Sequence, residues 1–219
     1  MGRLSHEVVR LSQAMGVDSH SGMDMVCRDT CLNIFPAYLR PGFAFGGSCL
    51  PKDLKAMLYV AKSQDVSVPM LSNVLTSNAV PIDHAIDAVL ESGKKSIGLI
   101  GLSFKSGTDD LRESPLVVMA ERFIGKGRDL YIYDPEINVA RLMRANRRFI
   151  EETIPHIASL MTTSCEHLVE QAEFLIVGMS DKAIMEVLYL KTRDDQMILD
   201  LVNIPRKDLI RGNYQGVCW

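Results

Sequence analysis

The sequence predicts an α/β protein, with a helical first part followed by a doubly wound parallel-sheet domain. Two observations carry this. Up to about residue 90 the apolar residues recur at helical spacing. Beyond a polar connection, Glu91-Ser-Gly-Lys-Lys95, short apolar runs alternate with helical stretches. Strand–helix alternation with apolar strands is the pattern of a parallel sheet covered on both faces. The expected division is residues 1–93 and 94–219.

In the first part, Leu4, Val8, Leu11 and Met15 share one helical face, and Gly16 is placed to end that helix. Asp18 or Ser19 is a cap for the next, which carries Met23, Val26 and Cys27. Residues Asn33 to Ser48 are rich in Phe, Pro and Gly and read as irregular. A long helix follows from about Pro51 toward Gln64, and another fits Pro69 to Leu90, where Pro81 marks a kink or a fresh start. Four strands are expected in the second part: Ser96–Leu102, Asp129–Tyr133 ending at Asp134-Pro135, Phe174–Gly178 and Met197–Val202. Ser114-Pro115, a capping serine before a first-turn proline, starts a helix that runs to about Gly125.

Composition narrows the function. The chain has 219 residues, of which 47% are hydrophobic, enough for a substantial core. A net charge of −3 gives no global basic field for nucleic acid or an anionic membrane. No apolar run is long enough to span a bilayer. The residues after Met1 include His6, Glu7 and Arg10 rather than the apolar core of a leader, so a cytoplasmic location is expected. The five cysteines, Cys27, Cys31, Cys49, Cys165 and Cys218, are odd in number and scattered, unlike a disulfide framework. Cys27 and Cys31 lie one helical turn apart with no second Cys or His pair beside them; they read as small core residues, and no metal site is expected.

The chemistry concentrates at Gly42-Phe-Ala-Phe-Gly-Gly-Ser-Cys-Leu-Pro-Lys-Asp53. Cys49 stands just before a helix with Leu54, Met57, Leu58 and Ala61 at helical spacing. The positive end of the helix dipole and the charge of Lys52 both favour a thiolate, which makes Cys49 a candidate covalent nucleophile. Gly46 and Gly47 let backbone approach a ligand closely. Asp53, on the first turn, reads from spacing alone as a solvated acid stabilised by the helix dipole. In the second part, Gly98-Leu-Ile-Gly101-Leu-Ser-Phe-Lys105 lacks the G-x-G-x-x-G turn of a dinucleotide site, so the fold is Rossmann-like with a differently built turn. Lys105, Thr108 and Arg112 follow the C-terminal end of a strand, where ligand contacts are expected, and two cations among hydroxyls suit a phosphorylated ligand.

Phe43-Ala-Phe-Gly-Gly-Ser-Cys-Leu-Pro-Lys-Asp53 resembles the catalytic-cysteine motif of the UDP-glucose/GDP-mannose dehydrogenase family. Gly101-Leu-Ser-Phe-Lys-Ser-Gly-Thr-Asp-Asp-Leu-Arg-Glu-Ser-Pro115 is similar to its second motif, and with the Gly216-Val-Cys-Trp219 ending the chain most resembles the branch that oxidises GDP-mannose. The resemblance implies oxidation of the C6 alcohol of a nucleotide sugar to a carboxylate in two NAD-dependent steps, for an acidic polysaccharide such as alginate. Cys49 would trap the intermediate aldehyde and form a thioester, and Asp53 would orient or deprotonate the water that releases the acid. Tyr38, Arg40, Phe43, Gly46 and Lys105 are implied in substrate binding, with Lys105 on phosphate; Tyr38 and Arg40 would reach the neighbouring subunit's site. The branch tends to carry a Tyr pair there, and this chain has Ala37 at the first position. Lys52 and Arg112 match positions that approach NAD.

A homodimer formed through the helical first part is implied by the resemblance, and that part carries more apolar surface than one thin layer hides. A complete enzyme of this family also has an NAD domain, and a lysine and an asparagine early on the long central helix that stabilise an oxyanion. No segment here matches these, so this chain is expected not to catalyse the oxidation alone. A UDP-sugar in place of GDP-mannose is the runner-up. A non-catalytic dimer that binds a nucleotide sugar is the alternative.

Overall fold

A computed structural model describes residues 2–17, 28, 42–104, 107–137 and 144–217. Tyr38, Arg40, Lys105, the proposed cap at Asp18 or Ser19, the helix with Met23 and Val26, and Cys27, Cys31 and Cys218 lie outside them. The described chain forms two compact units. One comprises residues 1–41 and 49–78, the other 42–48 and 79–219.

In the first unit, α1 (Gly2–Ala14) and α2 (Leu50–Ser63) pack with the first half of α3 (Pro69–Glu91). Leu11, Leu54, Ala61, Val68 and Leu71 are its core, with Met57 and Leu58 partly buried against them. The helical spacing of Leu54, Met57, Leu58 and Ala61 thus marks the inward face of α2. Met15 does not continue the inward stripe of α1: the helix has ended at Ala14, Gly16 takes a φ of +69°, and Met15 is exposed. α3 runs without a break through Pro81.

The second unit is built on a five-stranded parallel sheet of order β2-β1-β3-β4-β5. Its strands are β1 (Ser96–Ile100), β2 (Asp129–Tyr133), β3 (Phe174–Val177), β4 (Met197–Asp200) and β5 (Asn213–Gly216). Between them lie α4 (Pro115–Gly125), α5 (Arg144–Thr153), α6 (Ile157–Leu160), α7 (Cys165–Gln171) and α8 (Lys182–Lys191). Strand side chains alternate between faces. Ile97, Leu99, Leu130, Ile132, Phe174, Ile176 and Leu199 pack with Ala85, Ile86 and Val89 of α3 and with Leu116, Met119, Ala120 and Phe123 of α4. Ile100, Leu175, Val177 and Ile198 pack with Leu168 and Val169 of α7 and Ile184 and Leu188 of α8. Two covered faces explain the near-continuous apolar strands. Ser114 caps α4 as its sequence suggests, its hydroxyl accepting from the Leu116 N–H at 3.2 Å.

One expectation needs correction. A fifth strand, β5, pairs in parallel with β4; its residues Asn213-Tyr-Gln-Gly216 carry no apolar run because it is a half-exposed edge strand. Cys165 also opens a helix, behind the capping Ser164, whose hydroxyl accepts from the His167 N–H. Burial overrides that setting. It pushes the Cys165 thiol up to about 12, assisted by the nearby charges of Asp181 and Glu166.

Candidate functional site

The strand order reverses between β1 and β3, and in doubly wound sheets ligands bind beyond the strand ends at such a point. Here the chain leaves β1 through Gly101, whose φ of +99° requires glycine, and whose N–H donates to the Tyr133 carbonyl at 2.7 Å. The turn is then held by Asp134, buried at the end of β2. Its Oδ2 accepts from the N–H groups of Leu102 (2.8 Å) and Ser103 (3.0 Å) and from the Ser103 hydroxyl (3.1 Å). Its Oδ1 accepts from the Glu136 N–H at 3.0 Å. The Ser114 hydroxyl donates to the Leu102 carbonyl at 2.7 Å, tying the turn to the start of α4.

The following loop is folded around Asp110. The Phe104 N–H donates to the Asp110 carbonyl at 3.3 Å, and the Asp110 N–H donates to the Thr108 hydroxyl at 3.2 Å. Arg112 forks onto the Asp110 carboxylate through Nε (2.8 Å) and Nη2 (2.9 Å). That guanidinium holds the Asp110 carboxyl below the usual carboxylate range, and a hydrogen bond from the Ser48 side chain acts in the same direction.

Residues 42–48 pack on this loop. A Cβ on Gly46 would overlap the Glu113 carbonyl oxygen and come within 2.8 Å of Pro115 Cδ. One on Gly47, which takes a φ of +90°, would stand 2.9 Å from the Phe104 ring. These glycines therefore serve backbone-to-backbone and backbone-to-ring packing within the protein. A cavity of about 190 Å³ opens beside them, lined by Phe43, Ala44, Phe104, Pro115, Leu116, Gly178, Leu201 and Val202. Gly178 follows β3; Leu201 and Val202 follow β4. Leu201 donates its N–H to the Val177 carbonyl at 3.0 Å, and Val202 is held by buried Asp200. Its Oδ1 accepts from the Val202 N–H (2.9 Å), and its Oδ2 accepts from the Ile204 N–H (2.8 Å) and the Tyr214 hydroxyl (2.5 Å).

In the first unit, Cys49 is exposed and immediately precedes α2. Its carbonyl accepts the first helical bond, from the Asp53 N–H at 2.9 Å. Lys52 and Asp53 are both exposed and pair at 3.4 Å. The structure thus gathers Phe43, Gly46 and Arg112 with Phe104 and Asp110 in the sheet unit, and Cys49, Lys52 and Asp53 on one helical turn of the other. Asp110, Asp134 and Asp200 were not singled out from sequence. The available signal was an acidic residue closing an apolar strand, in Tyr133-Asp134 and Leu199-Asp200.

These features define a doubly wound α/β protein with a cavity at its topological switch point. Residues 3–80 match the central domain of the UDP-glucose/GDP-mannose dehydrogenase family, and residues 98–207 match its UDP-binding domain. The chain belongs to this family. It is 42% identical, over 98% of its length, to a GDP-mannose 6-dehydrogenase of Pseudomonas savastanoi pv. phaseolicola, of which it covers 49%. It is 31% identical, over 59% of its length, to a UDP-glucose 6-dehydrogenase of Bacillus subtilis, covering 30% of that protein. The crystal structure of a ternary complex of GDP-mannose dehydrogenase from Pseudomonas aeruginosa matches with a TM-score of 0.87 at 40% identity, over 98% of this chain and 49% of that one. The chain spans about half the length of the curated relatives it matches. Among the described residues, no helix is long and apolar enough to cross a membrane.

Proposed function

We propose that the chain is the substrate-binding half of an NAD-dependent nucleotide-sugar 6-dehydrogenase. GDP-mannose is the preferred substrate, and GDP-mannuronate, a precursor of an alginate-type polysaccharide, is the product. The observation that carries this reading is the meeting of Phe43, Ala44, Gly46 and Gly47 with Phe104, Glu113 and Pro115 beside one cavity at the strand-order reversal. The identity to a GDP-mannose 6-dehydrogenase over 98% of the chain supports the choice of sugar.

In this reading Phe43 and Gly46 shape the nucleotide-sugar site and Lys105 contacts its phosphate. Tyr38 and Arg40 contribute to the site of a second copy in a homodimer formed through the helical part. The functional division gives dimerisation and the cysteine to residues 1–93 and the nucleotide sugar to 94–219, with Phe43 and Gly46 contributed to the latter from residues 42–48. Sγ of Cys49 adds to the C6 aldehyde, and Asp53 directs the water that opens the C6 thioester. NAD, when bound to the complete enzyme, accepts the hydrides. The described residues of the sheet unit do not fit that dinucleotide: the turn after β1 lacks its glycine pattern, and Asp134 is occupied by Leu102, Ser103 and Glu136. The dinucleotide is therefore assigned to a separate domain, and Lys52 and Arg112 to its margin.

Titration calorimetry tests the reading. GDP-mannose should bind more tightly than UDP-glucose, and Lys105→Ala should weaken it by roughly 1.5–3 kcal/mol, as for a lost hydrogen bond to a charged group. Failure of both sugar nucleotides to bind would overturn the proposal. Tighter binding of UDP-glucose would establish the second reading, a UDP-sugar enzyme, which the match of residues 98–207 to a UDP-binding domain favours. Turnover on adding a separate NAD domain would exclude a purely non-catalytic binding module.

A further inference from the structure

We propose that Asp134 is a positioning residue for the ligand cavity, acting through Phe104; the proposal rests on the nucleotide-sugar reading above. In dinucleotide-binding sheets, a carboxylate at the end of the second strand accepts from ribose hydroxyls. Asp134 occupies that place and faces the protein instead. Its two oxygens accept four hydrogen bonds, three of them from Leu102 and Ser103. Phe104 is the next residue. Its ring lines the cavity and fills the space against Gly47 that a side chain would otherwise claim.

The ring is therefore anchored from both sides. Asp134 fixes the two residues before it, and its own N–H is bonded to the Asp110 carbonyl. Leu102 is fully buried and Ser103 nearly so. Without the carboxylate, two backbone donors in a dry setting would lose their acceptor, and the turn would have to move to recover one. A shift of the turn carries Phe104 with it, and with Phe104 the wall that meets the ligand. Asp134 touches no ligand in this account; it determines where the wall stands.

The test is a double-mutant cycle with GDP-mannose as probe, read by calorimetry, together with amide hydrogen exchange on the unliganded chain. Asp134→Asn replaces one acceptor oxygen by an N–H₂ that faces donors. It should weaken GDP-mannose about tenfold in the native background and by less than about twofold in Phe104→Leu, because coupled residues give non-additive losses. Exchange at Leu102 and Ser103 should quicken about tenfold or more while Ile97 to Ile100 keep their protection. Ser103→Ala, which removes a single bond to Asp134, should give a smaller loss of the same kind should the Asn variant fail to fold. Equal losses in both backgrounds, or exchange that rises evenly along β1, would overturn the proposal and leave Asp134 a general stabiliser. If neither GDP-mannose nor UDP-glucose binds the native chain, the functional reading falls. Exchange then decides by itself whether Asp134 holds the turn that carries Phe104.

Discussion

Gly46 lies directly against the carbonyl oxygen of Glu113, close enough that no other residue fits between them. Glu113 itself takes a φ of +54°, in the left-handed region, one residue before the cap of α4. The cysteine motif and the loop motif, 67 residues apart at these two positions, are thus joined by a contact that involves only backbone.

Gly46→Ala is expected to destabilise the chain by about 1–3 kcal/mol, the range for forcing atoms into a filled space. Neither a carbonyl nor a proline ring can swing away as a flexible side chain would. Urea unfolding measures the loss, and GDP-mannose affinity should fall with it. A variant of native stability would mean that residues 42–48 do not pack on the sheet unit.

Alkylation should separate two cysteines. Exposed Cys49 should react with iodoacetamide near neutral pH well before Cys165, whose buried thiol is pushed up to about 12. Peptide mass spectrometry resolves the two, and equal rates would refute the assignment. The same shift has a stability consequence. The folded state holds Cys165 protonated, so its contribution is complete below the free-thiol value of about 8.5 and is lost as pH rises from there toward the folded value. Cys165→Ala should flatten that alkaline decline.

Asp110 shifts the other way. Arg112 lowers its folded value below that of the unfolded chain. Its contribution is therefore present above the ordinary carboxylate value of about 3.9 and is lost as pH falls through the depressed one. Urea midpoints followed downward from neutral pH should show a shallower acid decline in Asp110→Asn and in Arg112→Ala. An unchanged acid limb would mean the pair does not persist in solution.

Tyr214→Phe should cost about 1–2 kcal/mol through the lost hydrogen bond to buried Asp200. Amide exchange should quicken in β5 and at Val202 and Ile204, which share that carboxylate. If Val202 and Ile204 keep native protection, Tyr214 secures only the edge strand.

Most of the fold was legible because its signals are local. Apolar runs such as Phe174-Leu-Ile-Val177 and the Ser114-Pro115 pair act within a few residues of themselves. β5 was not legible, since an edge strand with Tyr214 half-buried and Gln215 exposed needs no apolar pattern. Cys49, Asp53 and Lys105 were read from motif and chain position. The partners of Gly46 and Asp134 were not, because each lies tens of residues away and leaves no periodic trace. The glycine pair read as room for a ligand is filled by Glu113, Pro115 and Phe104. Only the folded chain shows which neighbour takes the space a missing Cβ leaves.

The sheet unit draws on chain that precedes its first strand. Ala85, Ile86 and Val89 from α3 and Phe43 from the loop cover the same face as Leu99 and Phe123. An expression fragment cut where the composition changes, beginning at residue 94, would bare that face to water. It should aggregate, whereas a piece that retains α3 should yield far more soluble protein. The border that suits a reader of residue types is thus a poor place for a restriction site.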